Sequence, residues 1–246
     1  INSFKKGGAD ATQWVWEVIQ GDFHEDQTTA QTITGAVVSM IPGVDQVCDV
    51  RDLVADCKKI NQDSSNKWAW VALVFTLIGL FPVLGSAVKG CLKILFGYGR
   101  KGMFNIGKAA FDTDLWKVTS PYVEAGILKL NEFLKRSEVA VAMQALRWDN
   151  VYKSLALKVR GVATKLNVGE LTKVFDSALD YFKSLTEWLQ RWGSAAMSSN
   201  AGQLYSMVKS VRDQANTKLG EFIAPMQKWL DKLARRLEVE GDMSYR

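Results

Sequence analysis

The sequence predicts an all-α protein, with apolar helical hairpins in its first hundred residues and an elongated amphipathic helical bundle after them. Leu171, Val174, Phe175, Ala178, Leu179, Phe182, Leu185, Leu189 and Trp192 recur at helical spacing and make one broad apolar face. Leu204, Val208, Val211, Ala215, Leu219, Phe222, Met226, Leu230, Leu233 and Leu237 extend a near-heptad seam beyond it. The third observation is Trp68–Val88 (WAWVALVFTLIGLFPVLGSAV), 21 residues without a charge. As one helix it would be about 31 Å long, enough to cross a hydrocarbon core. No stretch alternates with the period of a strand.

The first element is a short amphipathic helix over Ala9–Gln20, with Asp10 as its cap and Trp14, Val15, Val18 and Ile19 on one face. Gly21–Asp26 breaks it. Gln27–Val44 again lacks charge, but its Thr, Gln and Ser residues mark a buried or reluctantly inserting helix, ended by Pro42–Gly43. Asp45–Ile60 is a helix with Val47, Val50, Leu53, Val54 and Cys57 on its apolar side. Asp45, Asp49, Asp52 and Asp56 recur at spacings of four, three and four, and line one stripe. Gln62–Asn66 is a polar turn. Within the uncharged run, Pro82 kinks the helix or divides it into a hairpin. Beyond it Leu84, Val88, Cys91, Leu92 and Leu95 face away from Lys89 and Lys93, a basic amphipathic pattern suited to a membrane surface.

Tyr98–Gly107 carries several glycines and reads as a flexible junction. The expected division is therefore residues 1–100, a glycine-rich junction at 101–111, and a bundle over 112–246. In the bundle Ser120 caps a helix with Pro121 in its first turn. Residues 138–166 continue it with a break near Trp148–Asn150, and 168–192 is closed by Gly193. The seam over 203–238 is the longest helix, kinked at Pro225.

A chain of 246 residues with 48% hydrophobic composition suits one large or two small domains, and a mean hydropathy of −0.05 is too polar for a multi-span membrane protein. The net charge of +5 is unevenly spread. Residues 1–66 carry a net −5, residues 67–111 hold six basic groups and no acidic one, and 112–246 carry +4. The cations Lys67, Lys89, Lys93, Arg100 and Lys101 thus bracket the apolar run, favouring anionic lipid headgroups over nucleic acid. Trp68, Trp70, Leu73, Phe75, Leu77, Leu80, Phe81, Pro82 and Leu84 are the expected membrane-engaging residues, and Leu77→Asp should abolish liposome binding while leaving 112–246 folded. A helical hairpin buried in a water-soluble bundle is the alternative, since runs of 12–14 residues suit core helices. The aspartate stripe is a solvated face, a partner for Lys89 and Lys93, or a metal-binding row. Pairing is favoured over metal because no second acidic cluster accompanies it.

Catalytic signatures are missing. His24 is the one histidine, with an exposed or capping role the simplest reading, and no HExxH, CxxC, GxGxxG or P-loop occurs. The chain reads as non-catalytic, with no metal or cofactor. Cys48, Cys57 and Cys91 read as small core residues made in a reducing compartment. A start at Ile1 without a signal peptide suggests a piece of a larger protein.

The stretch GDFHEDQTTAQTITGAVVSMIPGVDQVCDVRDLVADCKKI, followed by WVALVFTLIGLFPVLGSAVKG, resembles the helical region before the toxin in bacterial polymorphic toxins and type VI secretion effectors. The resemblance covers about residues 21–90, with Asp22, Pro42, Asp45, Asp49, Arg51, Asp52, Pro82, Gly85 and Lys89 matching the pattern. It implies an effector exported by a contact-dependent secretion system, cytoplasmic before export and at the target-cell membrane after delivery. Its partners would be a chaperone or other parts of the secretion machinery, and an immunity protein. A structural adaptor, or a colicin-like pore-former inserting Gln27–Val44 and Trp68–Val88, stays open beside this.

Overall fold

A computed structural model of the chain describes residues 2–20, 43–82, 86–106 and 109–244. Among these residues there are ten helices and no strand, so the fold class is all-α. The helices are α1 (Asn2–Gln20), α2 (Val44–Gln62), α3 (Lys67–Gly79), α4 (Ser86–Asn105), α5 (Leu115–Leu134), α6 (Ser137–Ala145), α7 (Val151–Lys165), α8 (Val168–Trp192), α9 (Ala195–Lys218) and α10 (Gly220–Ser244).

They divide into two compact units that interleave along the chain: Ile1–Ser65 with Phe175–Ala215, and Asn66–Val174 with Asn216–Arg246. The division expected at 101–111 follows the glycine content. Residues 101–105 instead complete α4, because Gly102 sits where α4 meets α5. A Cβ at Gly102 would stand 3.1 Å from the Tyr122 ring, and one at Gly126 would stand 3.1 Å from Tyr98. These glycines give close helix approach, not a hinge.

In the first unit α1 packs on α2, burying Val15, Trp16, Val18 and Ile19 with Val47, Val50, Leu53, Cys57 and Ile60. Lys58 Nζ donates to the Gln20 carbonyl at 3.1 Å, a cation at the end of α1 where the helix dipole is negative. Gly43 enters α2 with φ 63°, a left-handed turn that favours glycine, and the Tyr181 hydroxyl donates to its carbonyl at 3.2 Å. The expected face of α8 is buried through Phe175, Leu179, Phe182, Leu185 and Leu189, whereas Trp192 at its end is 56% exposed. Asp176 accepts two bonds from Arg212 of α9, at 2.6 and 3.0 Å.

In the second unit α3 packs on α4, α4 on α5, and α10 on α7 and α5. Asn66 starts α3, its side chain accepting from the Trp68 and Ala69 amides at 3.1 and 3.3 Å. Asn66→Ala should therefore cost about 1 kcal/mol, measurable as a lowered midpoint in urea.

Four expected boundaries shift. Helix α1 begins at Asn2, so Asp10, the expected cap, lies inside it. The uncharged run is not one spanning helix: α3 is 13 residues long and ends at Gly79, before the turn that carries Pro82. Among the described residues no helix is long and apolar enough to cross a membrane. Helix α5 begins at Leu115, so Ser120 and Pro121 lie inside it. Pro121 is exposed there, which leaves the carbonyl it cannot bond open to water. The seam over 203–238 is two helices, broken at Leu219. That residue is fully buried, so the apolar period runs through the turn unbroken. The longest helices are α8 and α10, 25 residues each. The expected break near Trp148–Asn150 lies between α6 and α7, with Asn150 capping α7 through the Lys153 amide. The expected helix over Gln27–Val44 falls, up to Pro42, outside the described residues, as do Asp22, His24, Leu84 and Gly85.

Candidate functional site: the buried apolar helix and its cover

Every residue of α3 from Trp68 to Gly79 is buried. Among the expected membrane-engaging residues, Trp68 is 5% exposed, Trp70 and Phe75 1%, and Leu73 and Leu77 fully enclosed. Phe81 is buried as well, Leu80 is half-buried, and only Pro82 of the described set lies at the surface. A helix apolar all round must be enclosed by protein or lipid. Here protein encloses it.

The cover is α10. Its Trp229 stands edge-on to Phe75 with ring centroids 4.6 Å apart, and lies within about 6 Å of Phe96 on α4 and Trp116 on α5. The Trp229 indole donates to Thr119 Oγ1 at 2.8 Å, and that hydroxyl donates to the Leu115 carbonyl at 2.8 Å. A Cβ on Gly99 of α4 would come within 2.8 Å of Phe75 and 3.1 Å of Trp229, so this cluster has no spare volume. At the start of α3 the Trp68 indole donates to the Ala109 carbonyl, and Trp68 packs on Phe111, which packs on Phe222 of α10.

Around this apolar contact α10 is held by ion pairs. Glu221 meets Lys67 at 2.9 Å, Lys232 meets Asp114 at 3.0 Å, and Arg236 grips Glu124 with two bonds of 2.7 and 2.8 Å. Arg236 also reaches the buried Glu240, and Asn131 donates to the same carboxylate. On the α7 side Arg160 bridges Asp231 and Glu238, and Lys153 pairs with Asp242. The Lys232 hydrogen bond holds the Asp114 carboxyl below its usual range, and the Glu124 hydrogen bond raises Arg236 further.

The expected basic flank is put to use within the second unit. Lys67 is paired as above and lies over the Phe111 ring at 5.4 Å, Arg100 lies over Phe104 at 4.6 Å, and Lys101 over Tyr98 at 5.9 Å. Lys89 and Lys93 are half-exposed on α4, with the Lys93 stem 4.0 Å from where a Cβ on Gly79 would stand.

The acidic stripe belongs to the first unit. Asp45 is exposed, Asp49 and Asp52 are intermediate, and Asp52 pairs with Arg51 at 2.9 Å. Asp56 departs from a uniform solvated face, for it is fully buried. Burial, with Asp56 beside it, pushes the Cys57 thiol well up, and burial also raises Cys91 to about 12. Burial and the nearby Asp49 likewise raise the Tyr181 hydroxyl to about 12. Among the described residues no three His, Cys, Asp or Glu side chains converge as a metal site would need. Sequence reasoning found α3 from its missing charges. It missed Trp229, although that residue stands three after Met226 and four before Leu233 on the same buried face of α10; helical spacing finds the face but not its partner Phe75.

Fold and site define an all-α protein with an enclosed apolar helix under an ion-paired cover. No family model, no curated protein and no solved structure matches the chain.

Proposed function

We propose that this chain is a non-catalytic, membrane-engaging or translocation region of a secreted interbacterial toxin, carried with its apolar hairpin shielded. The observation that supports this is the kind of cover α3 has. Its inner contact is apolar and would be exchanged at little cost for lipid. Its rim is a set of part-exposed ion pairs, each worth only about 0–1 kcal/mol and weakened by salt or acid. On release, α3 and α4 meet anionic lipid with the cations Lys89, Lys93, Arg100 and Lys101 beside them.

The sign of the pH effect follows from Asp114. Its folded pKa is depressed, so its contribution to stability is present above about pH 4 and is lost as pH falls through the lowered value. Acid below about pH 4 should then loosen α10 and raise partition onto anionic vesicles. Arg236→Glu sets a third carboxylate beside Glu124 and Glu240, and should raise vesicle binding severalfold at neutral pH although net positive charge falls. Glu124→Arg combined with Arg236→Glu remakes the pair and should bring binding back to the parent level. Flotation on phosphatidylglycerol vesicles reads both variants. A chain that ignores these vesicles at every pH, with or without Arg236→Glu, does not engage membranes.

A structural adaptor is the second reading. What favours it is the enclosure of Trp68, Trp70 and Phe75 together with the length of α3, about 20 Å against a hydrocarbon core of about 30 Å. In that case the hairpin is a permanent core. Conductance across a planar bilayer by the isolated chain would mark a pore-former instead.

A further inference from the structure

We propose that the outward face of α7, with Trp148 before it, is a docking trough for an acidic amphipathic helix of a partner protein. The trough has a volume of about 350 Å³ and is lined by Trp148, Ser154, Leu157, Lys158, Gly161 and Lys165 along with Val162. Except for Trp148, these residues sit three or four apart along α7 and so share one face. Leu157 is 69% exposed in the middle of it. A Cβ added to Gly161 would meet nothing within 4 Å, so a partner's backbone can approach closely at that point.

Charge selects the occupant. Helix α7 carries Lys153, Lys158, Arg160 and Lys165 and no acidic residue. The inward pair is neutralised by α10, Lys153 on Asp242 and Arg160 on Asp231 and Glu238. Lys158 and Lys165 are exposed and make no ion pair with any described residue. They stand seven residues apart on one face, about 10 Å along the helix axis. Two carboxylates at the same spacing on a facing helix would meet both, with small or apolar residues between them lying over Leu157 and Gly161. A lipid tail fits less well. The trough has a floor on one helix and a single aromatic wall, which would leave an acyl chain half in water, whereas an amphipathic helix brings its own second wall.

The probe is a fluorescein-labelled, alanine-based helical peptide of about 15 residues with two glutamates seven apart and leucines between them. Fluorescence anisotropy with the whole chain should report saturable binding that weakens as salt rises, and no binding of the peptide with lysines in place of the glutamates. Lys158→Glu with Lys165→Glu should weaken binding about tenfold or more, since attraction becomes like-charge repulsion. Leu157→Ser, an exposed position, should weaken it severalfold with the melting midpoint unchanged. The proposal fails if the parent chain binds neither peptide or binds both equally. It fails equally if the double reversal, folded by circular dichroism, binds as the parent does. Phosphatidylserine vesicles captured through Lys158 and Lys165 while the acidic peptide is ignored would make the occupant a lipid, and would also overturn it.

Discussion

Trp229→Ala should destabilise the second unit by about 3–5 kcal/mol, the range for removing a fully buried large aromatic side chain. Trp229 is 1% exposed and holds together rings from three other helices: Phe75 of α3, Phe96 of α4 and Trp116 of α5. The substitution removes those contacts and the indole bond to Thr119 Oγ1, while Thr119 keeps its own bond to the Leu115 carbonyl. No buried donor is stranded, so the loss is mainly of packing. Trp229→Phe keeps a ring over Phe75 and should cost markedly less. Urea unfolding followed by near-ultraviolet circular dichroism measures both. A change under about 1 kcal/mol for the alanine variant would mean that α10 is not the cover of α3.

Leu77→Asp should prevent the second unit from folding. Leu77 is fully buried in α3, and the change replaces a core leucine by a carboxylate with no buried basic group among the described residues to pair with it. Losing the leucine costs about 2–5 kcal/mol and an unpaired buried charge adds several more, against a total domain stability of about 5–15 kcal/mol. The sequence led to a different outcome, with 112–246 still folded. That required residues 112–246 to be independent of the apolar run. Instead α5, α6, α7 and α10 share one unit with α3. Leu77→Met, nearly equal in volume, should cost less than about 1.5 kcal/mol and serves as the control. A native-like melting transition for the aspartate variant would show that α3 is not a core helix.

The helices were legible where amphipathic period and punctuation agree. The face of α8, the break near Trp148–Asn150 and the polar turn at Gln62–Asn66 follow from residues a few positions apart. Two things were not legible. One is a break that leaves the period intact: Leu219 is buried in the turn between α9 and α10, so the apolar pattern runs on while the backbone turns. The other is pairing over long separations. Phe75 and Trp229 are 154 positions apart, and nothing near either names the other. The apolar run itself was plain, but hydropathy does not tell a helix buried in lipid from one buried in protein. The length of α3 and the ring of side chains around it do. The aspartate stripe was read as one surface. Its four members occupy different environments because the helix also turns Asp56 toward the packed side with Cys57.

The order in which the chain leaves the ribosome gives the cover a temporal side. Helix α3 is complete at Gly79, but the residue that closes over it, Trp229, follows 150 residues later. At about 5–20 residues per second, α3 stands for about 8–30 s without its cover. Helix α4 follows at once and packs on α3, but the side of Phe75 that Trp229 later covers stays open to a passing apolar surface throughout that interval. Nascent chains are therefore the species most exposed to aggregation, and a holding chaperone that recognises Trp68–Gly79 has its opportunity during synthesis and none after α10 docks.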